Sequence, residues 1–476
     1  MATRDGVRRV RLGRRQFMAL IGAGTLGAVL PKALGETPPA AQGRKPNVIV
    51  ILIDDVGWAD VGCYGCKDIP TPHIDALARG GVRFTSGYVS APLCSPTRAG
   101  IMTGRYQQRF GHEFNPGGGG VNLGFEFGLP LTETTFADVM KKAGYATGIV
   151  GKWHLGFDAK YQPTARGFDE FFGFLGGAHA YFPPRDGGQP AKGNPIMRGK
   201  EKVEEKEYLT DAFGREAAAF VDRHRAEPLF LYFAPNAAHM PMQAPPKYLD
   251  TFSRIADERR RTHAAMMSCL DDAIGKVLAR LKEDGIDENT LVMFVSDNGG
   301  PPATTSSNGP LRGGKSNMWE GGIREPLVIR WPGHVPAGKV YDEPVISLDF
   351  LPTAAAAAGA VIPAGHPLDG VDLVPYLSGK KAGPPHECLF WRMGPQWAVR
   401  KGHWKLIKVR DGPPGLYDLA TDIGESKDLA AEKPEIRDEL AKAYAAWDAQ
   451  LAKPLWGGRP AKRPGKADKG PARLPV

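Results

Sequence analysis

The segment Cys94-Ser95-Pro96-Thr97-Arg98, continued by Ala99-Gly100-Ile101-Met102-Thr103-Gly104, sets a thiol beside a hydroxyl and four residues before a guanidinium. No Gly-x-Ser-x-Gly elbow surrounds Ser95, so the candidate nucleophile here is Cys94; the plainer reading is an ordinary buried or reactive thiol. Four apolar runs elsewhere end in polar residues. Residues 48–53 end in Asp54-Asp55, residues 146–151 in Lys152-Trp153-His154, and residues 291–296 in Asp297-Asn298, while residues 229–234 run towards His239. Asp54, Asp55, Asp297 and Asn298 offer only oxygen ligands, which suits a hard cation and argues against zinc. Taken singly, Asp54-Asp55 reads as a strand end or helix cap and Asp297-Asn298-Gly299-Gly300 as a turn. Two such pairs at two strand ends favour a metal site. Lys315 follows Gly313-Gly314, glycines that let backbone approach a ligand closely.

These residues need a frame to bring them together. From Asn47 onward short apolar runs alternate with helical patterns, as in a mostly parallel sheet covered by helices. Ligands of such open sheets bind outside the carboxyl ends of the strands, so the polar strand ends are expected to meet in one crevice. Cys269 falls on an apolar stripe with Met267, Leu270, Ile274, Val277, Leu278 and Leu281, which predicts a buried helix position. The Gly-, Pro- and charge-rich stretch 183–207 reads as a surface excursion that borders a pocket. After a composition shift near residues 377–385, three short strand patterns around Trp391, Trp397 and Trp404 precede a helical run over 434–451, a small α+β unit.

With its continuation and with the other motifs in this order, the Cys94 segment resembles that of the sulfatases, a branch of the alkaline phosphatase superfamily, over roughly residues 46–430. The resemblance implies a large doubly wound, mostly parallel sheet flanked by helices, followed by a small C-terminal antiparallel sheet with a helix. It implies that a formylglycine-generating enzyme oxidises Cys94 to formylglycine, whose hydrated form attacks the sulfur of a sulfate ester. A thiolate would form an adduct with no easy exit, whereas a gem-diol has a second oxygen through which sulfate is expelled. By the same resemblance Asp54, Asp55, Asp297, Asn298 and the modified Cys94 hold Ca²⁺. Lys152 and Lys315 meet the sulfate oxygens, and Arg98 meets the formylglycine and its surroundings. His239 is then the general acid for the departing alcohol, His154 the base for collapse of the sulfated diol, and Asp297 an acceptor of the nucleophile's proton. Each histidine alone would read as a packed core residue. The expected substrate is a sulfated carbohydrate, with residues 176–182 and the loop after them lining the sugar pocket and Arg185 either meeting an anionic sugar or standing as a surface charge. The closest rival reading is a phosphonate monoester or phosphodiester hydrolase using the same modified cysteine, which nothing in the core motifs excludes. A sulfated-glycan-binding protein without catalysis would follow if Cys94 were never oxidised.

The totals agree with such an enzyme. A chain of 476 residues, 42% apolar and 24% charged, can bury one large core and carry a smaller unit. Its net charge of +9 sits in the ends. Residues 1–45 hold nine Lys or Arg against two acids and residues 453–476 seven against one, which leaves the body at −4 and argues against nucleic-acid binding. Residues 1–35 resemble a twin-arginine export signal, with Arg14-Arg15-Gln16-Phe17-Met18, an apolar run over 19–30 and Pro31. The expected course is thus a signal (1–35), a linker (36–45), a catalytic domain (46–377), a small domain (378–452) and a disordered basic tail (453–476). The protein is expected to pass the export machinery to the periplasm or medium, without stable membrane insertion. Five scattered cysteines are too few for a disulfide scaffold; Cys63 and Cys66 read as a local disulfide or as two unconnected thiols.

Overall fold

The computed structural model describes residues 44–116, 126–184, 194–409 and 412–457; the proposed signal, most of the linker, Arg185 and the tail beyond residue 457 lie outside them. In chain order the strands are β1 (Asn47–Ile53), β2 (Val82–Phe84), β3 (Gly87–Tyr88), β4 (Ala146–Lys152), β5 (Glu170–Phe174), β6 (Met197–Arg198), β7 (Glu201–Lys202) and β8 (Leu229–Ala234). There follow β9 (Thr290–Ser296), β10 (Leu327–Arg330), β11 (Lys339–Tyr341), β12 (Val345–Ile346), β13 (Cys388–Met393), β14 (Gln396–Lys401), β15 (Trp404–Lys408) and β16 (Gly415–Asp418). The main sheet runs β11-β2-β10-β9-β1-β8-β4-β5-β6-β7. Its five central strands, β9-β1-β8-β4-β5, are parallel, and β10 lies antiparallel to both neighbours.

All seven residues of β1 are buried, because the strand is covered on both faces. Ile49, Ile51 and Ile53 enter the apolar cluster that also holds the helices Leu209–His224 and Glu258–Glu283. Val48, Val50 and Leu52 enter the opposite cluster, with the helices Phe136–Lys142 and Phe350–Ala358. The period-2 alternation of the strand thus sorts one β-branched run into two cores. Cys269 is buried in the Glu258–Glu283 helix, as its stripe predicts. Ile53 pairs with Ser296, and Asp297 donates its amide to Ile53 O at 2.9 Å, so the acidic ends of β1 and β9 are level.

The second sheet, β13-β14-β15-β16, is antiparallel throughout. On β13 Leu389, Trp391 and Met393 alternate inward, where they join Tyr88, Tyr106 and Leu348 of the large domain in one apolar cluster. Phe390 and Trp397 stack on Trp447 and Tyr444 of the helix Pro434–Asp448, at centroid distances of 5.1 and 4.2 Å. Two features differ from the sequence expectation. The stretch 183–207 returns to the sheet, because Met197–Arg198 and Glu201–Lys202 form a short hairpin on its edge through β5. Residues 453–457, basic-tail by composition, are also tied down: Trp456 packs on His112 and Phe127 at 4.7 and 5.0 Å and donates its indole N–H to Phe114 O. A single large aromatic outweighs the polar composition around it. Among the described residues no helix is long and apolar enough to cross a membrane.

Candidate active site

Asp54 and Asp55 directly follow β1, Lys152 is the last residue of β4, and Asp297-Asn298 follow β9. All of them are buried. Asp55 and His154 adopt left-handed φ values of 60° and 58°, a conformation costly for non-glycine residues and concentrated at functional sites. Cys94 opens the helix Cys94–Thr103, with Pro96 in its first turn where a missing N–H costs nothing and Gly104 as a left-handed cap at φ 64°. Every residue of that helix is buried, and Arg98, one turn after Cys94, points the same way.

The ion pairs define the geometry. Lys152 Nζ meets Asp54 Oδ2 at 2.6 Å, and Cys94 Sγ lies 3.7 Å from Asp54 Oδ1. Arg98 donates through Nε and Nη2 to Asp297 Oδ2 at 3.1 and 2.8 Å, through Nη1 to Lys152 O, and lies 3.6 Å from Asp54. Lys315 Nζ donates to Asp55 Oδ1 at 2.6 Å and lies 3.3 Å from Cys94 Sγ. His239 donates from Nδ1 to Met240 O, which aims Nε2 at Asp55 Oδ2, 3.5 Å away. Asn298 Nδ2 donates to Asp55 Oδ1 at 2.8 Å. The structure therefore brings Asp54, Asp55, Cys94, Arg98, Lys152, His239, Asp297, Asn298 and Lys315 into one cluster. His154 joins it through its main chain, whose carbonyl accepts from Ser95 Oγ at 2.7 Å, while its ring backs onto Gly177.

Asp54, Asp55 and Asp297 face Arg98, Lys152 and Lys315, so three carboxylates are matched by three cations before His239 is counted. Burial alone would raise the Asp54 carboxyl, yet Lys152, His239 and Arg98 hold it below its ordinary value. Burial, reinforced by the charge of Asp54, lifts Asp297. Burial likewise pushes the Cys94 thiol up to about 12, against the pull of Lys152 and Lys315, so the bare cysteine is a thiol at neutral pH and a poor nucleophile. Burial first, and then Lys152, Arg98, His239 and Lys315, drive His154 well below 6.5, which leaves a neutral imidazole.

Asp54, Asp55, Cys94 and His239 present ligand atoms within 4.8 Å of one another. Asn298 Oδ1 is buried with no hydrogen-bond partner, an orphan acceptor beside two carboxylates. Oxygen donors of this kind fit a hard divalent ion, and the orphan acceptor is what such an ion would satisfy. Asp297 is less free for that task, because Arg98 occupies its Oδ2.

Some participants carried no warrant in the sequence. Ser95 Oγ spends its one proton on His154 O, so His112 Nε2, 2.7 Å away, donates to Ser95. Tyr181 OH lies 2.6 Å from Asn236 O and 2.7 Å from His239 O and shares its one proton between them, which sets residues 176–182 against the His239 loop. Nothing in the spacing of His112 or Tyr181 marks them. Cys63 and Cys66 are free thiols, pushed up by burial to about 12 and about 11. Burial pushes the His112 imidazole down to about 3, so the fold holds it neutral while the unfolded chain takes up a proton below about 6.5. Stability is then lost as pH falls from about 6.5 towards 3, at up to about 1.4 kcal/mol per pH unit for this group. The wild-type denaturant midpoint is expected to drop more steeply on acidification than that of His112→Gln; equal slopes would clear His112 of any part in acid lability.

A doubly wound sheet that gathers a helix-borne cysteine, carboxylates and buried cations at its strand ends is the frame of a hydrolase of the alkaline phosphatase superfamily. The chain belongs to the sulfatase family: residues 46–360 match the Sulfatase model, and residues 314–449 match that of N-sulphoglucosamine sulphohydrolase, C-terminal. It is 37% identical over 457 residues to N-acetylgalactosamine-6-sulfatase of Homo sapiens, with 84% of each chain covered. It is 34% identical over 470 residues to arylsulfatase A of Homo sapiens, covering 87% of this chain and 90% of that one. Its fold matches the crystal structure of Ps i-CgsB, a protein also solved in complex with k-i-k-neocarrahexaose, at a TM-score of 0.82 and 37% identity over 87% of this chain and 95% of that one. The protein is a sulfuric ester hydrolase.

Proposed function

We propose that this sulfatase cleaves the sulfate ester of a sulfated carbohydrate with a formylglycine made from Cys94 and a bound Ca²⁺. The observation that carries the reading is the setting of Cys94. Its sulfur lies 3.3 Å from Lys315 Nζ and 3.7 Å from an Asp54 carboxylate oxygen, in surroundings that keep a plain thiol protonated. Once oxidised and hydrated, residue 94 supplies one hydroxyl to attack sulfur and another through which sulfate later leaves. Asp54, Asp55, Asn298 and Asp297 would hold the ion, with an oxygen of the modified residue 94. When bound, Ca²⁺ polarises the sulfate and lowers the proton affinity of the attacking hydroxyl. Because Arg98, Lys152 and Lys315 already match the three carboxylates, the ion leaves a positive excess that suits an anionic ester.

The remaining roles fall to the chain itself. Lys152 and Lys315 hold the sulfate oxygens in place of water, and Arg98 orients Asp297 and residue 94. Asp297, lifted by burial, takes the proton of the attacking hydroxyl. His239, partly exposed and oriented by Met240 O, protonates the departing alcohol. His154, neutral and with its Nδ1 unpartnered, takes the proton when the sulfated diol collapses. The carbohydrate assignment rests on the similarity to N-acetylgalactosamine-6-sulfatase and to Ps i-CgsB, and residues 176–182, which lie against the His239 loop and the His154 ring, would border the sugar. Maturation by a formylglycine-generating enzyme and export by a twin-arginine route to the periplasm or medium complete the reading. The peptide carrying residue 94 from active protein is expected to be about 18 Da lighter than its cysteine form. That protein should turn over an aryl sulfate faster than an aryl phosphonate. An unmodified cysteine in active enzyme would sink the nucleophile, and dominance of the phosphonate would reassign the reaction.

A further inference from the structure

The C-terminal sheet reaches the active site through a buried ion cluster that the chemistry above leaves unused. Lys405 on β15 is fully buried; its Nζ donates to Glu320 Oε1 at 2.8 Å and approaches Glu425 Oε1 at 2.8 Å. Glu425 Oε2 accepts the amide of Glu320 at 2.7 Å, and the other Glu320 oxygen accepts from Tyr88 and from Arg324. Arg400 on β14 contacts the same Tyr88 hydroxyl. Glu425, itself held at a left-handed φ of 51°, then offers its main-chain carbonyl to Arg312 Nη1 at 2.7 Å.

Arg312 stands three residues before Lys315. Its guanidinium lies 3.7 Å over the ring of Trp319, and its carbonyl accepts the amide of Gly321 at 2.8 Å, which closes the base of the loop. On the far side Ser316, at φ 74°, donates its amide to Pro92 O, two residues before Cys94. The Lys315 loop is thus tethered to the nucleophile helix on one side and to the C-terminal domain on the other. Such tethers matter because Gly313 and Gly314 give the loop backbone freedom, and a lysine is a point charge on a flexible stem. Its ammonium is only as well placed as its Cα. Apolar packing of Trp391, Leu406 and Leu416 with Tyr88 and Leu348 already joins the two domains, so docking alone does not call for buried charges. Buried ion clusters contribute little net stability.

We infer that Arg312 is a positioning residue. By docking the Lys315 loop on Glu425, it makes the C-terminal domain part of the apparatus that places the Lys315 ammonium against the substrate. The inference rests on the proposed contact of Lys315 with the sulfate group. Arg312 is exposed, so it can be replaced without opening a core. Aryl sulfate kinetics on Arg312→Ala, Arg312→Lys, Lys315→Ala and the Arg312→Ala/Lys315→Ala double variant test it. Arg312→Ala is expected to lower kcat/KM about tenfold, Arg312→Lys to recover most of that, and Arg312→Ala to cost less than about twofold once Lys315 is gone. Additive losses, or an unchanged Arg312→Ala enzyme, would overturn the positioning role while a crippled Lys315→Ala enzyme upheld the reaction assigned above. Full activity in Lys315→Ala would overturn both.

Discussion

Replacement of Cys94 by alanine is expected to abolish turnover, with a loss of about 10⁴-fold or more, while the protein stays folded. The size of the loss follows from the role of the side chain: without the sulfur there is nothing to oxidise, and no other group near Asp54 and Lys315 can both attack and leave. The fold should tolerate the change. Cys94 is the first residue of a wholly buried helix, alanine favours helices, and the cavity left is one atom wide, so a stability change of about 1 kcal/mol is expected. Steady-state assays on an aryl sulfate and a denaturant titration of the same preparation check the two halves separately. Appreciable turnover in Cys94→Ala would remove residue 94 from the chemistry, whatever the family.

The second large effect is expected at Asp297. Its Oδ2 accepts both Nε and Nη2 of Arg98, whose other carboxylate neighbour, Asp54, lies 3.6 Å away. Asp297→Asn keeps the shape but removes one of the three negative charges that face Arg98, Lys152 and Lys315. A divalent ion then enters a site that is already positive, so calcium affinity is expected to fall at least about tenfold. Loss of the proton acceptor and the weaker ion together are expected to lower kcat/KM by about 10²- to 10³-fold. Isothermal calcium titration and initial rates at saturating calcium separate the two contributions. A variant with wild-type affinity and wild-type rate would place Asp297 outside the working site. Because Arg98 keeps only partial compensation, the calcium-free variant is also expected to unfold at lower denaturant, by roughly 3 kcal/mol.

Much of this site is legible in the sequence because it lies where local patterns end. The run Val48-Ile49-Val50-Ile51-Leu52-Ile53 announces a strand buried on both faces, and nothing in such a strand explains the two aspartates behind it. The same contrast marks Lys152 behind β4 and Asp297 behind β9. Composition misled where one residue outweighed its neighbours, as Trp456 does in a stretch rich in proline and lysine. It was silent on His112, whose hydrogen bond to Ser95 spans 17 positions with no periodic signal.

Hydrophobic period was therefore enough to mark a mostly parallel sheet covered by helices, a small α+β unit and polar residues behind the strands, since each depends on a few neighbours along the chain. The doubly wound order and the antiparallel second sheet came with the family resemblance. Which charge faces which was settled only in three dimensions. Lys405 and Glu320, 85 positions apart, have the composition of surface residues and yet lie fully buried, 2.8 Å from one another. A charge leaves water only when its partner is already in place, and that placement is a property of the packed domains rather than of either segment.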